Sequence, residues 1–247
     1  MYDLKKAYGV KVIEKNVTAG QTVVNEGASL VSVISAAGNE TVQLSAGITG
    51  EKFAGFSKLD NATITTEVGV ESHVVPATGI IQLDKLNLLS TANNLRVVCN
   101  SKDSAVGVAT YAFIAYAGSP TTAQVAVDYT NGLLKFNAAD IASTATIYYR
   151  RTVSALEVSQ NYYSRSVNNQ ASAIFGQVGA ITHDGQIFTD QYVINYDYSA
   201  VATGSLRTAA TGLVGVSAAY GDVVGNVIKI PTVADPFLGI AFAVDAD

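Results

Sequence analysis

Two histidines, His73 and His183, and one cysteine, Cys99, are the only side chains in these 247 residues suited to act as an imidazole base or a thiolate nucleophile near neutral pH. A hydrolase needs a nucleophile, a base and a third group that orients the base. Neither histidine lies in a Gly-x-Ser-x-Gly or comparable nucleophile turn. His183-Asp184-Gly185 has the composition of a tight turn between strands, and His73, beside a strand end, reads as structural or exposed. A single cysteine forms no intramolecular disulfide, and beside two isolated histidines it provides no metal-ligand spacing. Carboxylates are scattered with no Asp-x-Asp-x-Asp-Gly calcium loop, and no phosphate-binding glycine turn is present. The expectation is a protein that is not an enzyme, with no catalytic residue, no cofactor and no metal.

Residues suited to contact are easier to find. Lys5, Lys6, Lys11 and Lys15, set against Asp3 and Glu14, make a basic N-terminal arm on a chain whose net charge is -5. Further on, Tyr148, Tyr149, Arg150 and Arg151, then Tyr162, Tyr163 and Arg165, gather the two residue types that most often anchor protein interfaces. These lysines, tyrosines and arginines are the candidate contact residues; ordinary β packing is the alternative for the tyrosine and arginine group. An acidic chain with so few basic clusters is not expected to bind nucleic acid.

The elements that must position these residues are short strands. Charged residues make up 14% of the chain and hydrophobic ones 49%, so much of the surface is expected to be covered by neighbours. The most apolar run, Ala105 to Gly118, is interrupted by Thr110, Tyr111 and Tyr116 and is shorter than the roughly 18 residues of a membrane-spanning helix. With no apolar signal-type stretch near Met1, no membrane partner is expected.

From Ala19 to Ser57, β-branched runs are separated by Gly20, Gly27, Gly38-Asn39 and Gly47, the pattern of strands joined by tight turns. The phrase Phe53-Ala54-Gly55-Phe56 has an echo in Phe237-Leu238-Gly239-Ile240-Ala241-Phe242, which suggests that both ends of the chain feed one core. Leu95 to Cys99 reads as a strand with a small buried thiol. Asn131-Gly132 between two β-rich runs signals a hairpin. Val223 to Ile228 looks like a strand buried on both faces. The fold expected is all-β: a short-stranded barrel or sandwich formed by the N- and C-terminal parts, with an inserted β-meander lobe and little helix. Its divisions are expected at 1–15 for the arm, 16–118 and 166–247 for the main domain, and 119–165 for the inserted lobe.

Several phrases carry a resemblance. Ala19-Gly20 with Val23, Gly27-Ala28 and Leu30, then Glu51 to Ser57, then Val74-Val75-Pro76-Ala77-Thr78-Gly79, are similar to tailed-bacteriophage virion structural proteins, especially the capsid decoration or cement class. Val127 to Asp140 with Thr146 to Arg150, and Gly221 to Pro231 with Asp235 to Gly239, resemble segments of the same kind. The resemblance implies a non-enzymatic head decoration protein, a homotrimer, bound to the major capsid protein lattice on the capsid exterior and made in the host bacterial cytoplasm. A tail-tube or other tail component is the alternative within the virion. A β-rich carbohydrate-binding or adhesion module is the alternative outside it, although the chain has no tryptophan to stack on a sugar.

Overall fold

The computed structural model describes residues 12–21, 23, 25–34, 37–58, 66–90, 92–100, 111–154, 157, 177–182, 185–201 and 206–244. In chain order the strands among them are β1 Val12–Asn16, β2 Ser29–Ile34, β3 Glu40–Leu44, β4 Lys52–Lys58, β5 Thr66–Val74, β6 Ile80–Gln82, β7 Leu95–Cys99, β8 Ala112–Ala115 and β9 Gln124–Asp128. They continue as β10 Leu133–Phe136, β11 Thr144–Thr152, β12 Gln177–Ile181, β13 Gly185–Thr189, β14 Leu206–Thr208, β15 Val214–Gly215, β16 Val223–Lys229 and β17 Leu238–Phe242. The fold is all-β, as expected, and short 3₁₀ turns such as Ala138–Asp140 supplement the strands.

Two compact units share the chain: unit 1 is Met1–Thr65, Ser154–Pro231 and Phe237–Asp247, and unit 2 is Thr66–Val153 with Thr232–Pro236. In unit 1, β1, β12, β4, β2 and β3 form a sheet in that order, with neighbours antiparallel. Its two edges come back together. Val17 pairs in parallel with Val42, and the Thr18 N–H donates to the Val42 carbonyl at 2.9 Å. The Lys15 ammonium reaches Glu40 at 3.0 Å across the same seam. Curled this way, the sheet encloses Leu30, Val42, Ala54 and Ala180, with Val17, Val23 and Leu44 packed against them. A barrel of so few strands encloses little volume, which accounts for two alanines among its four central residues.

The second sheet of unit 1 runs β13, β17, β16, β14, β15. Beyond β13 the chain returns alongside β15, where the Val193 N–H donates to Val214 O at 2.8 Å and the Val214 N–H to Gln191 O at 3.0 Å. The two Phe-x-Gly phrases meet in this unit. Phe56 stands edge-to-face on both Phe53 and Phe242, with centroids 5.1 Å apart in each case. Three apolar rings from β4 and β17 therefore join the N- and C-terminal parts of the chain in one core.

Unit 2 contains a three-stranded sheet, β5-β11-β7, and a four-stranded sheet, β6-β10-β9-β8. One hydrophobic cluster draws on both sheets and includes Val97, Cys99, Val125, Leu134, Phe136 and Ile147. The Asn131-Gly132 hairpin joins β9 to β10 with Asp128 opposite Leu133. Its turn is held by the Asp128 carboxylate, which accepts the N–H groups of Thr130 and Asn131. The Asn131 side chain and backbone hold that carboxyl below its ordinary range.

This division corrects the boundaries expected from sequence. Gly118-Ser119-Pro120 does not open the inserted unit, which begins with β5. Residues before it are hydrogen-bonded to residues after it: β10 pairs with β6, and β11 pairs with both β5 and β7.

Candidate functional site

The Tyr148-to-Arg151 run lies on β11, the central strand of its sheet. Strand alternation places Tyr149 and Arg151 on one face and Tyr148 and Arg150 on the other. In the β5–β11 register Tyr149 lies opposite Gly69 and Arg151 opposite Glu67, so Glu67, Gly69, Glu71 and His73 share the face of Tyr149 and Arg151. That face is polar at the β5 edge. Arg151 Nε donates to Glu67 Oε1, with both side chains buried. The Tyr149 O–H donates to Glu71 Oε1, while the other oxygen of Glu71 accepts the Asp84 N–H at 3.1 Å and lies 2.8 Å from His73 Nε2.

Gly69 makes room for this arrangement, because a Cβ there would stand 2.3 Å from Cζ of Tyr149. Burial pushes the Tyr149 hydroxyl well above its ordinary pKa, and the hydrogen bond to Glu71 adds to the shift. Across the unit's core, the Tyr111 hydroxyl donates to the buried Asp140 carboxylate at 2.9 Å and is raised by the same cause, burial first.

Tyr149, Arg150 and Arg151 are buried, which overturns their assignment to an exposed contact surface. The same side chains that anchor interfaces also tie β-sheets internally when carboxylates face them, as Glu67 and Glu71 do here. Tyr148 is half-buried beneath the Arg96 guanidinium, 5.1 Å from the ring centroid. Lys15 belongs to the β1–β3 seam. Lys5, Lys6, Lys11, Tyr162, Tyr163 and Arg165 lie outside the described residues. Among the described residues, no group of three or more His, Cys, Asp and Glu is placed to hold a metal ion.

Large apolar side chains are exposed elsewhere, among them Val74, Leu86 and Ile141 of unit 2 and Ile34, Ile48, Val223 and Ile228 of unit 1. On β16, Val224 is buried but Val223 and Ile228 are exposed, so this strand is not covered on both faces as its sequence suggested. In unit 1, three turns meet around residues 46–51, 209–212 and 217–221. Ala46 bridges to Ala210, and the Gly221 N–H donates to Thr208 O at 3.0 Å. The tip of the first turn is Ile48, 60% exposed, between Gly47 and Gly50, both with positive φ. Around it Thr49, Ala210, Thr211, Ala218 and Ala219 are exposed, as is Lys52 just beyond the first turn, and the Arg207 guanidinium donates to the Gly221 carbonyl at 2.8 Å.

Below the tip, the Glu51 carboxylate accepts the Ser45 hydroxyl at 2.6 Å and the N–H groups of Ala46 and Gly47 at 2.8 and 3.1 Å. The sequence carries one signal of this feature, two β-branched residues in a turn between glycines. Gly47 alone suggests only a turn. Comparison with protein-family models, with curated proteins and with solved structures finds no match.

Proposed function

We propose that this chain is a structural protein of a tailed-bacteriophage virion: a head decoration protein that binds the major capsid protein lattice from outside, as a homotrimer, and performs no catalysis. The observation that carries this reading is the set of large apolar side chains that unit 1 leaves exposed, among them Ile48, Val223 and Ile228, in a chain with 14% charged residues. Large apolar groups left facing water are stabilised when a neighbour covers them. A lattice supplies such neighbours in a repeating array. Many modest contacts then add, because each copy braces several subunits at once and each occupied contact raises the effective concentration of the next.

The phrase-level resemblance to the decoration class supports the same reading and is spread across both units, from Ala19 to Gly239. The test is direct: purified protein is mixed with expanded, undecorated capsids, and binding is followed by co-sedimentation and by capsid melting. Saturable binding with a higher capsid melting temperature is expected. Absence of binding at micromolar concentration refutes the proposal, and assembly into rings or tubes under negative stain assigns the chain to the tail instead.

A further inference from the structure

We infer that Asn131 is a latent deamidation site that the Asp128 carboxylate holds closed: the folded turn keeps the Asn131 side chain off the Gly132 nitrogen, and loss of that hold lets the chain modify itself. The inference goes beyond the virion reading and stands whether or not that reading does.

The chemistry begins in the sequence. Asn131-Gly132 is the one Asn-Gly pair in the chain, and asparagine is a chemically labile residue. The main-chain nitrogen of Gly132, after giving its proton to a solvent base, bonds to Cγ of Asn131. The Cγ–Nδ2 bond breaks, and Nδ2 takes a proton from water and leaves as ammonia. Water then opens the cyclic imide at either carbonyl, which gives an aspartyl or an isoaspartyl residue. The net change is water consumed and ammonia released, with no oxidant or reductant. Glycine favours the step because no side chain shields its nitrogen.

Asn131 is exposed, so solvent reaches it. The fold opposes the step along the whole residue. Asp128 Oδ2 accepts from Asn131 Nδ2 at 2.8 Å, Asp128 Oδ1 accepts the Asn131 N–H at 3.1 Å, and Gln82 Nε2 donates to the Asn131 carbonyl at 2.7 Å. Ring closure requires the side chain to leave Asp128 and the Asn131 carbonyl to swing as the Gly132 peptide rotates. That rotation is resisted on the far side as well. The Leu83 N–H donates to the Gly132 carbonyl at 2.9 Å, and the Lys85 carbonyl lies 2.6 Å from where a Cβ on Gly132 would stand.

Among these bonds, the ones to Asp128 are assisted by charge. The bond from the Asn131 side chain is the first cause that holds the Asp128 carboxyl below its ordinary range, so the acceptor stays ionised at neutral pH. Deamidation would set a carboxylate where that donor now faces Asp128, and like charges would meet across the turn. The isoaspartyl form would also add a carbon to the main chain of a hairpin whose turn sets Asp128 opposite Leu133.

The experiment uses the full chain and its Asp128→Ala and Asp128→Asn variants, incubated at mildly alkaline pH. Conversion of Asn131 is followed by peptide mapping with mass spectrometry, and isoaspartate by enzymatic methylation. The parent in concentrated urea supplies the rate without the turn. Circular dichroism and thermal unfolding report whether each variant is folded under the incubation conditions.

The folded parent should convert at least about 10-fold more slowly than the parent in urea. Asp128→Ala, still folded, should convert about 10-fold faster than the folded parent, the effect of losing one net hydrogen bond to a charged group that must break before reaction. Asp128→Asn should fall between them, because its amide oxygen still accepts the N–H groups of the turn but carries no charge. Should Asp128→Ala prove unfolded, Asp128→Asn against the folded parent decides. Equal rates for the parent with and without urea overturn the inference. So does a folded Asp128 variant that keeps the parent's rate, since the hold would then come from elsewhere in the fold.

Discussion

Replacing Arg151 by methionine tests whether the polar face of unit 2 holds its edge strand in place. Arg151 on β11 and Glu67 on β5 are register partners, both buried, and joined by a hydrogen bond from Nε. Methionine fills much of the space but carries no charge, so the Glu67 carboxylate is left buried without its guanidinium. Breaking a buried pair from one side costs about 3–5 kcal/mol, mostly the penalty of an uncompensated buried charge. For a unit of this size that corresponds to a fall in melting temperature of at least about 12 °C.

Replacing both partners, Arg151→Met with Glu67→Leu, removes the pair and both desolvation penalties together. The double variant should therefore be more stable than Arg151→Met alone, by about 2 kcal/mol or more. Urea unfolding followed by tyrosine fluorescence is suited to a chain with 13 tyrosines and no tryptophan. The transition of unit 2 should move and that of unit 1 should stay. A cost below about 1 kcal/mol for Arg151→Met, or single-variant costs that simply add in the double, would refute the reasoning.

Two further outcomes are expected. Gly55→Ala should destabilise unit 1 by more than about 3 kcal/mol, because φ is +125° and a Cβ would stand 2.2 Å from the Ile181 carbonyl oxygen. Gly20→Ala, where φ is +80° but nothing lies within 4 Å, should cost only about 1 kcal/mol, and equal losses in thermal unfolding would contradict the account. Stability should also fall as pH rises above 10.0, the ordinary tyrosine value. Burial raises the hydroxyls of Tyr111, Tyr149 and Tyr220, the last to about 12, so the unfolded chain loses these protons first and the folded state is disfavoured. A Tyr149→Phe variant should show a shallower decline between pH 10 and 12 in a melting series, and an unchanged slope would count against the assignment.

The all-β class was legible because turn glycines and β-branched runs are local signals that need no knowledge of distant partners. Burial of Cys99 and the Asn131-Gly132 hairpin followed from the same local chemistry. The meeting of the two Phe-x-Gly phrases was legible for a different reason, since a repeated apolar phrase marks two segments that require a similar environment.

The boundary of unit 2 was hidden, because Gly118-Ser119-Pro120 punctuates the chain locally while hydrogen bonds from β10 and β11 reach back across it. Tyr149, Arg150 and Arg151 were misplaced for a related reason. Residue type announces that tyrosine and arginine will find partners, and does not tell whether those partners lie within the chain or beyond it. The β5–β11 register answers this by setting Glu67 opposite Arg151 and Glu71 within reach of Tyr149. Ile48 shows the converse. Isoleucine in a sequence reads as core, and its exposure depends on the non-local packing of Ala46 on Ala210 and of Gly221 beneath the turn. Local chemistry thus settles which segments become strands and turns, whereas pairing between residues far apart in the chain settles which side chains are enclosed and which stay exposed.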